Sequence, residues 1–405
     1  MADKSCRSCG APLEHSFVDL GMSPLANRFL GPEQLGVMEP FYPLHARVCG
    51  RCFLVQVPAF ETPEAIFGDY AYFSSYSETW LRHAQAYCEM ARRRFRLGAA
   101  SKVVEIASND GYLLRNFRQA SVPVLGVEPA RNIADVAEAA GIPTMCAFFG
   151  RELAERIAGD HGQADLIVAN NVLAHVPDLN DFIAGMARLL APGGAVTIEF
   201  PHLLRLIAET QFDTIYHEHF SYFSLLAARQ ALARHGLALF DVEELPTHGG
   251  SLRVYAGHEG ERKPVSAAVE KLQAGLDRVE TYAAFQAKVR EAKWRLVEFL
   301  VAARRAGKRV AGYGAAAKGN TLLNYCGIGG DLVEFVADAS PHKQGKFLPG
   351  THIPVVAPEQ VRAARPDYLL ILAWNLADEI MGKMGHIRQW GGRFVLPVPA
   401  PSEIA

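Results

Sequence analysis

No apolar run in the 405-residue chain approaches the roughly 20 residues needed to cross a bilayer. The first residues, Met1-Ala2-Asp3-Lys4-Ser5-Cys6, contain no apolar signal core. A basic excess is also missing: lysine plus arginine is 41, aspartate plus glutamate is 43, and the formal net charge is −2. That balance argues against non-specific nucleic-acid binding. There is no low-complexity tract and no clear internal repeat. Half of the residues are hydrophobic and 21% are charged, which excludes disorder as the dominant state. These absences leave a cytoplasmic protein of two or three domains as the expectation, with neither nucleic acid nor membrane as a partner.

An even set of cysteines is lacking too. The seven are Cys6, Cys9, Cys49, Cys52, Cys88, Cys146 and Cys326, and an odd number argues against a secreted disulfide framework. Four of them form two C-x-x-C pairs, Cys6/Cys9 and Cys49/Cys52. Two such pairs offer the four thiolates of a tetrahedral structural Zn²⁺ site, which leaves no open position for chemistry. Gly10 after the first pair and Gly50 inside the second are expected to let the backbone turn so that amides face the sulfurs. The 39 residues between the pairs exceed what a compact finger uses. The competing reading is a redox C-x-x-C beside a chance pair. Residues 1–68 are read as a small zinc-binding domain, too short to hold a core without a staple.

The remainder reads as α/β. Residues 72–95 carry apolar and aromatic residues at helical spacing, with Ser75 or Ser77 as the cap. From residue 102, strand candidates at 102–107, 123–128, 165–170 and 194–200 alternate with helical sequence. This is the rhythm of a doubly wound, Rossmann-like sheet, whose ligand sits outside the carboxyl ends of its strands. The expected extent of this domain is 69–265. Residues 266–307 are charged and helix-periodic, a connector into a second α/β unit ending at 405. Strands of that unit are expected at 309–313, 333–338, 368–373 and 393–398.

The turn after the first central strand, Glu105-Ile106-Ala107-Ser108-Asn109-Asp110-Gly111-Tyr112-Leu113, has one glycine and is a poor dinucleotide fingerprint. An acidic, polar turn suits the ammonium and sulfonium of S-adenosylmethionine, whereas a pyrophosphate prefers bare amides. Glu105, Ser108, Asn109, Asp110, Gly111 and Tyr112 are therefore cofactor candidates. Glu128 closes the second strand and can accept two ribose hydroxyls. Asn170 can meet the methionine portion, and Phe148 can flank the adenine. A nicotinamide unit would use Glu128 equally well.

The densest acid/base sequence is Asp213-Thr214-Ile215-Tyr216-His217-Glu218-His219-Phe220-Ser221-Tyr222. Histidine titrates near neutrality, and a neighbouring carboxylate can fix its tautomer. If residues 216–219 were extended, Tyr216 and Glu218 would share one face and His217 and His219 the other, so spacing alone does not choose the base. A metal site built with His175 and a structural polar turn are the alternatives. In the C-terminal unit, Gly312-Tyr313-Gly314-Ala315-Ala316-Ala317-Lys318-Gly319-Asn320 departs from the dinucleotide pattern. Its helix start with Lys318 suits a diphosphate, and Asp338 ends the next strand.

Taken in order, several segments resemble the three-domain S-adenosylmethionine-dependent nucleotide-sugar C-methyltransferases of deoxysugar biosynthesis. They are the two cysteine pairs, Tyr70-Ala71-Tyr72-Phe73-Ser74-Ser75-Tyr76-Ser77, the 105–113 turn, residues 170–176 (NNVLAHV), 216–224, 247–253 (THGGSLR), 312–324 and 343–354 (KQGKFLPGTHIP). The resemblance covers essentially the whole chain. It implies an N-terminal zinc domain, a central methyltransferase domain and a C-terminal α/β domain, with a dTDP- or GDP-linked keto-deoxysugar between the last two. It also implies Tyr76, with Tyr70 as the alternative, His175, Tyr216, Glu218 and His219 as catalytic residues, His219 being the favoured base. Glu218 would orient a histidine. Lys318, Asn320 and Asp338 would hold the nucleotide. The implied reaction is removal of a proton beside a 4-ketone, at C-3 or alternatively C-5, followed by methyl transfer to carbon. An NAD(P)-dependent nucleotide-sugar oxidoreductase is the rival.

Overall fold

The computed structural model describes residues 4–62, 74–76, 78–261, 263–271 and 275–404. Tyr70 and the side chain of Tyr76 lie outside them. Each cysteine pair sits on a tight turn, closed by hydrogen bonds from Gly10 N to the Cys6 carbonyl (2.8 Å) and from Phe53 N to the Cys49 carbonyl (3.0 Å). The residue just after each pair is left-handed, Gly10 at φ 72° and Phe53 at φ 57°. Gly50 was expected to play that part and does not. A Cβ there would lie 2.9 Å from His15 Nε2, so its small size serves packing instead. The strands His15–Ser23 (β1), Tyr42–Val48 (β2) and Val55–Gln56 (β3) form an antiparallel sheet beside these turns.

The central strands are Val103–Ile106 (β4), Val124–Val127 (β5), Thr144–Met145 (β6), Ala164–Asn170 (β7), Leu190–Pro201 (β8), Ser221–Tyr222 (β9), Leu237–Leu245 (β10) and Ser251–His258 (β11). Seven of them make one sheet in the order β10-β11-β8-β7-β4-β5-β6. The strands β4 to β8 are parallel, and β10 and β11 add an antiparallel hairpin that the sequence reading lacked. β4 and β7 are near-continuous apolar runs because helices cover both faces of a parallel sheet. The chain reverses direction of build between β4 and β7, so the ligand crevice is expected above their carboxyl ends. The helix anticipated over 72–95 runs Glu78–Phe95, preceded by a 3-10 turn Ser74–Tyr76. Three arginines in its last turn complement the helix dipole.

β9 belongs to neither half of this hairpin. It pairs with β3 (Val55 with Tyr222, Gln56 with Ser221) and so becomes the fourth strand of the N-terminal sheet. The polar segment around residues 216–219 thus leads directly into the zinc domain's sheet.

Helix Phe285–Arg305 leads to a second open sheet. Its strands are Val310–Tyr313 (β12), Val336–Ala337 (β13), Val355–Val356 (β14), Tyr368–Ile371 (β15), Arg393–Leu396 (β16) and Ser402–Ile404 (β17), ordered β14-β13-β12-β15-β16-β17. Gly319 on helix Ala317–Cys326 takes the close-packing role of a fingerprint's third glycine, since a Cβ there would lie 2.7 Å from the Leu372 Cβ. One apolar core joins β1–β3 to the connector and the C-terminal sheet, with Phe17 stacked on Phe285 at 4.6 Å. Among the described residues no helix is long and apolar enough to cross a membrane.

Candidate active site

The Sγ atoms of Cys6, Cys9, Cys49 and Cys52 lie within 4.8 Å of one another. Tetrahedral Zn²⁺ with Zn–S distances of about 2.3 Å requires S–S edges of about 3.8 Å, so the donor set fits the ion. The cluster is braced by Gln56 Nε2, 3.2 Å from Cys6 Sγ, and by the amides of Arg51 and Cys52 facing Cys49 Sγ. Between the first two cysteines, Arg7 donates to the carbonyls of Val57 and Pro177 and lies over the Phe220 ring at 5.4 Å.

Above β4 the backbone is left-handed at Ala107 (φ 56°), Asn109 (φ 49°) and Gly111 (φ 76°), and two of these are not glycine. Such strain is held in place by surrounding structure and marks functional loops. Gly126 on β5 lets Ser108 approach, since a Cβ there would lie 2.5 Å from Ser108 Oγ. Glu128 accepts from the amides of Asn109 (3.0 Å) and Ala130 (2.9 Å) and keeps a second lone pair on each oxygen. Asn109 Oδ1 and Asp110 Oδ2 receive the amides of Ser74 and Ser75, so both side chains also anchor the approach to helix Glu78–Phe95. Phe148 is exposed, whereas Phe149 packs edge-on against Phe182. Tyr112 is buried in the sheet's helix layer, 6.2 Å from Trp80. Glu105 Oε2, Ser108 Oγ, Asp110 Oδ1 and Asn170 Oδ1 are buried without partners among the described residues. Burial, with Glu128 and Asp110 nearby, pushes the Glu105 carboxyl well up. Unsatisfied acceptors gathered at a switch point are what an ammonium-bearing cofactor would satisfy, so the residues present fit S-adenosylmethionine.

Residues 216–219 form a turn, not an extended strand: His219 N donates to the Tyr216 carbonyl at 3.0 Å. The turn brings Tyr216 Oη within 2.8 Å of His219 Nε2. His219 Nδ1 lies 3.0 Å from the Thr214 carbonyl. A carbonyl only accepts, so Nδ1 carries the proton of the neutral ring and Nε2 accepts from the phenol. Burial first, then His175, Lys318 and His248, push the His219 pKa well below the ordinary 6.5. His217 points away and faces the Pro43 carbonyl (3.2 Å), Tyr42 and Phe60. The geometry therefore separates two histidines that spacing left equivalent.

Glu218 departs from the role expected of it. Its carboxyl accepts from Asn27 Nδ2 at 2.6 Å, and its main-chain carbonyl, not its side chain, holds His175 Nδ1 at 2.9 Å. Burial raises the Glu218 carboxyl to about 7 and lowers His175 to about 4. His175 is thus a neutral ring whose proton is committed to that carbonyl, 4.6 Å from the His219 ring.

The C-terminal candidates part company. Asn320 is buried within its helix, hydrogen-bonded by Asn324. Asp338 ties its own loop to the turn after β12 by accepting from the amides of Ser340 (2.8 Å) and Ala315 (2.7 Å), much as Glu128 does in the central domain. Lys318 instead reaches the cleft between the two sheets. Its Nζ lies 2.7 Å from Asn375 Oδ1 and 4.3 Å from the Trp374 ring centre, and Trp374 Nε1 donates to Asp213 Oδ2 at 2.6 Å. Burial lowers Lys318 to about 8 and raises Asp213 to about 6.

One buried network escaped the sequence reading. Glu199 on β8 accepts from Arg253 (3.0 Å), His83 (3.0 Å) and Thr247 (3.0 Å), and Arg253 lies over Tyr87 at 4.7 Å. Burial alone would raise Glu199, but His83 and Arg253 bring it below its ordinary value. His83 stacks on Trp80, which meets His248 edge-on at 5.2 Å, and His248 is itself left-handed at φ 55°. An acid inside the apolar run of β8 and an arginine inside β11 were the available signals. They become a pair only once Arg253 is known to sit opposite Glu199 in the sheet.

Three family descriptions match the chain: a zinc binding domain at 6–67, a methyltransferase domain at 80–242, and a C-methyltransferase C-terminal domain at 246–399. C-methyltransferase NovU of Streptomyces niveus is 39% identical over 405 residues, spanning 99% of this chain and 96% of the relative. Among solved structures, the PH0226 protein of Pyrococcus horikoshii is 13% identical with a TM-score of 0.38, covering 50% of this chain and 100% of that one. Magnesium protoporphyrin IX methyltransferase of Synechocystis is 15% identical with a TM-score of 0.36, covering 48% and 91%. The nicotinamide reading has no counterpart among the matched families. The chain belongs to the C-methyltransferase family: it is an S-adenosylmethionine-dependent enzyme that methylates carbon, with a zinc-binding domain at its N-terminus.

Proposed function

We propose that the substrate is a nucleotide-linked 4-keto-deoxysugar, carried on dTDP or GDP and methylated at C-3. One observation carries this reading. A neutral imidazole with its tautomer locked, His219, is paired at 2.8 Å with the Tyr216 phenol, and Lys318 on helix Ala317–Cys326 of the C-terminal domain bears on the same imidazole. A carbon nucleophile must be made before it can be methylated, and a neighbouring ketone is what makes a sugar C–H acidic enough for such a base.

His219 Nε2 takes the C-3 proton, directly or through Tyr216, whose own phenolic proton then passes to the ring. The C–H bonding pair becomes the new C=C bond, and the carbonyl π pair moves to oxygen as an enolate. S-adenosylmethionine supplies an electrophilic methyl group on sulfur. Glu105, Ser108, Asn109, Asp110, Gly111, Tyr112, Glu128, Phe148 and Asn170 would hold that cofactor. Tyr76, which the family resemblance places among the catalytic residues, would donate to the enolate oxygen. His175, neutral and already donating through Nδ1, would orient the base. Orientation matters because the reacting carbon must lie within about 3–3.5 Å of the methyl.

Incubating the protein with S-adenosylmethionine and a panel of nucleotide 4-keto-6-deoxysugars, then weighing the products, tests the proposal. The expected product has gained one methylene unit, with the new methyl on the carbon next to the ketone. Methylation of a 4-hydroxy sugar to the same extent would overturn it, because no enolate would then be involved.

A further inference from the structure

Resting on the ketone substrate proposed above, an enolate oxygen that Tyr76 meets only with a neutral phenol still calls for a cation. Three donors of the central domain that surround the base are already committed. The Tyr216 phenol donates to His219, His219 Nδ1–H to the Thr214 carbonyl, and His175 Nδ1–H to the Glu218 carbonyl. The other nitrogen of His219 is the acceptor that faces the Tyr216 phenol and has no proton to give.

The C-terminal domain supplies a cation at this place. Helix Ala317–Cys326 packs against the turn Phe212–Thr214, and Thr214 is the residue whose carbonyl fixes His219. Lys318 leaves the second position of that helix and is steered by the Trp374 face and by Asn375 Oδ1. Trp374 is in turn pinned by Asp213 and by Gly249, where a Cβ would lie 2.6 Å from the Trp374 ring. The ammonium is near enough for its charge to depress both His219 and His248. Asn375 occupies one of its three N–H donors in the described contacts.

We infer that Lys318 is a catalytic residue that donates to the enolate oxygen of the substrate across the domain cleft, and is not a ligand of the distal diphosphate. A half-buried, preset cation aimed at developing charge lowers the barrier without reorganisation during the reaction. The proton removed from carbon resides on His219. Lys318 transfers none and only hydrogen-bonds the oxyanion, so the step balances without a further reactant.

The half-reaction isolates this role. With S-adenosylhomocysteine in place of the methyl donor, the full-length protein in D₂O should exchange the hydrogen beside the ketone of a keto-sugar nucleotide, read by mass spectrometry. At saturating sugar nucleotide, K318M and K318Q should slow exchange by roughly 10²–10³, the usual worth of an oxyanion donor. Their affinity for the bare nucleoside diphosphates dTDP and GDP, by calorimetry, should be unchanged. K318R, which keeps the charge, should retain more exchange than either. Binding of S-adenosylhomocysteine shows whether each variant is folded, and the arginine variant serves if the neutral ones are not. Wild-type exchange at saturation in K318M or K318Q overturns the inference, since a purely diphosphate-binding lysine alters affinity and not the saturated rate. A wild-type protein that neither exchanges nor methylates any keto sugar instead overturns the substrate reading.

Discussion

Tyr216 and His219 are joined by a hydrogen bond of 2.8 Å inside a four-residue turn, and the far nitrogen of the imidazole is tied to the Thr214 carbonyl. The two side chains form one proton-handling unit. H219N should reduce kcat by roughly 10²–10⁴, the span usual for a general base. Y216F should reduce solvent exchange and methyl transfer in equal proportion, because both pass through the same enolate. Stopped-assay kinetics on the two variants check this. Unequal losses would separate the phenol from proton removal.

The pH profile of kcat/KM should keep its acid limb below pH 6.5. Burial, His175, Lys318 and His248 all lower the His219 pKa, and only the Thr214 carbonyl opposes them. A lowered pKa leaves the imidazole unprotonated, and therefore basic, further into acid. A limb at or above 6.5 would point to another base.

Glu218 makes a stability prediction of the opposite sense. Its folded pKa is raised to about 7 from an ordinary 4.5, so the native state prefers the protonated carboxyl. That preference stabilises the fold fully below 4.5 and is lost as pH rises through 7. E218Q, which can still accept from Asn27, should exceed wild-type stability at pH 8 by up to about 3 kcal/mol. The gain should vanish at pH 4. Denaturant unfolding at the two values measures it.

Removing the metal with a chelator, or introducing C52S, should lower kcat on the order of 10²-fold while leaving S-adenosylhomocysteine affinity nearly intact. The cysteine turns brace β3, β3 pairs with β9, and β9 follows His219 by one residue. A displacement of about 1 Å in the base is enough for such a loss. Equal damage to rate and cofactor affinity would mean general unfolding instead.

G126A tests the cofactor loop. A Cβ at 126 would press on Ser108 Oγ, and overpacking of this kind costs about 1–3 kcal/mol. Cofactor affinity should fall with little change in the rate at saturating cofactor, as read by calorimetry alongside kinetics.

Much of the architecture is legible in local pattern. The two C-x-x-C pairs gather into one cluster, and the apolar runs at 102–107, 165–170 and 194–200 become the heart of the central sheet. What local pattern omits is set by contacts distant in the chain. Whether 216–219 is strand or turn decides which histidine meets Tyr216, and that depends on β9 joining a sheet more than 160 residues earlier. The partner of Glu218 is Asn27, 191 positions away. Glu199 and Arg253 look like two stray charges until β8 and β11 are aligned. The direction of Lys318 follows from how the C-terminal sheet docks, which no spacing within 312–320 encodes.

The borrowed strand β9 also limits how this enzyme can be recombined. Matched family segments end at 67 and resume at 80, which suggests a seam. A chimaera cut there would give Ser221 and Tyr222 a foreign acceptor edge, and mismatched pairing would twist the base away from its target even if every module folded. Successful grafts should be those that transplant β3 and β9 together, as a donor and its recipient.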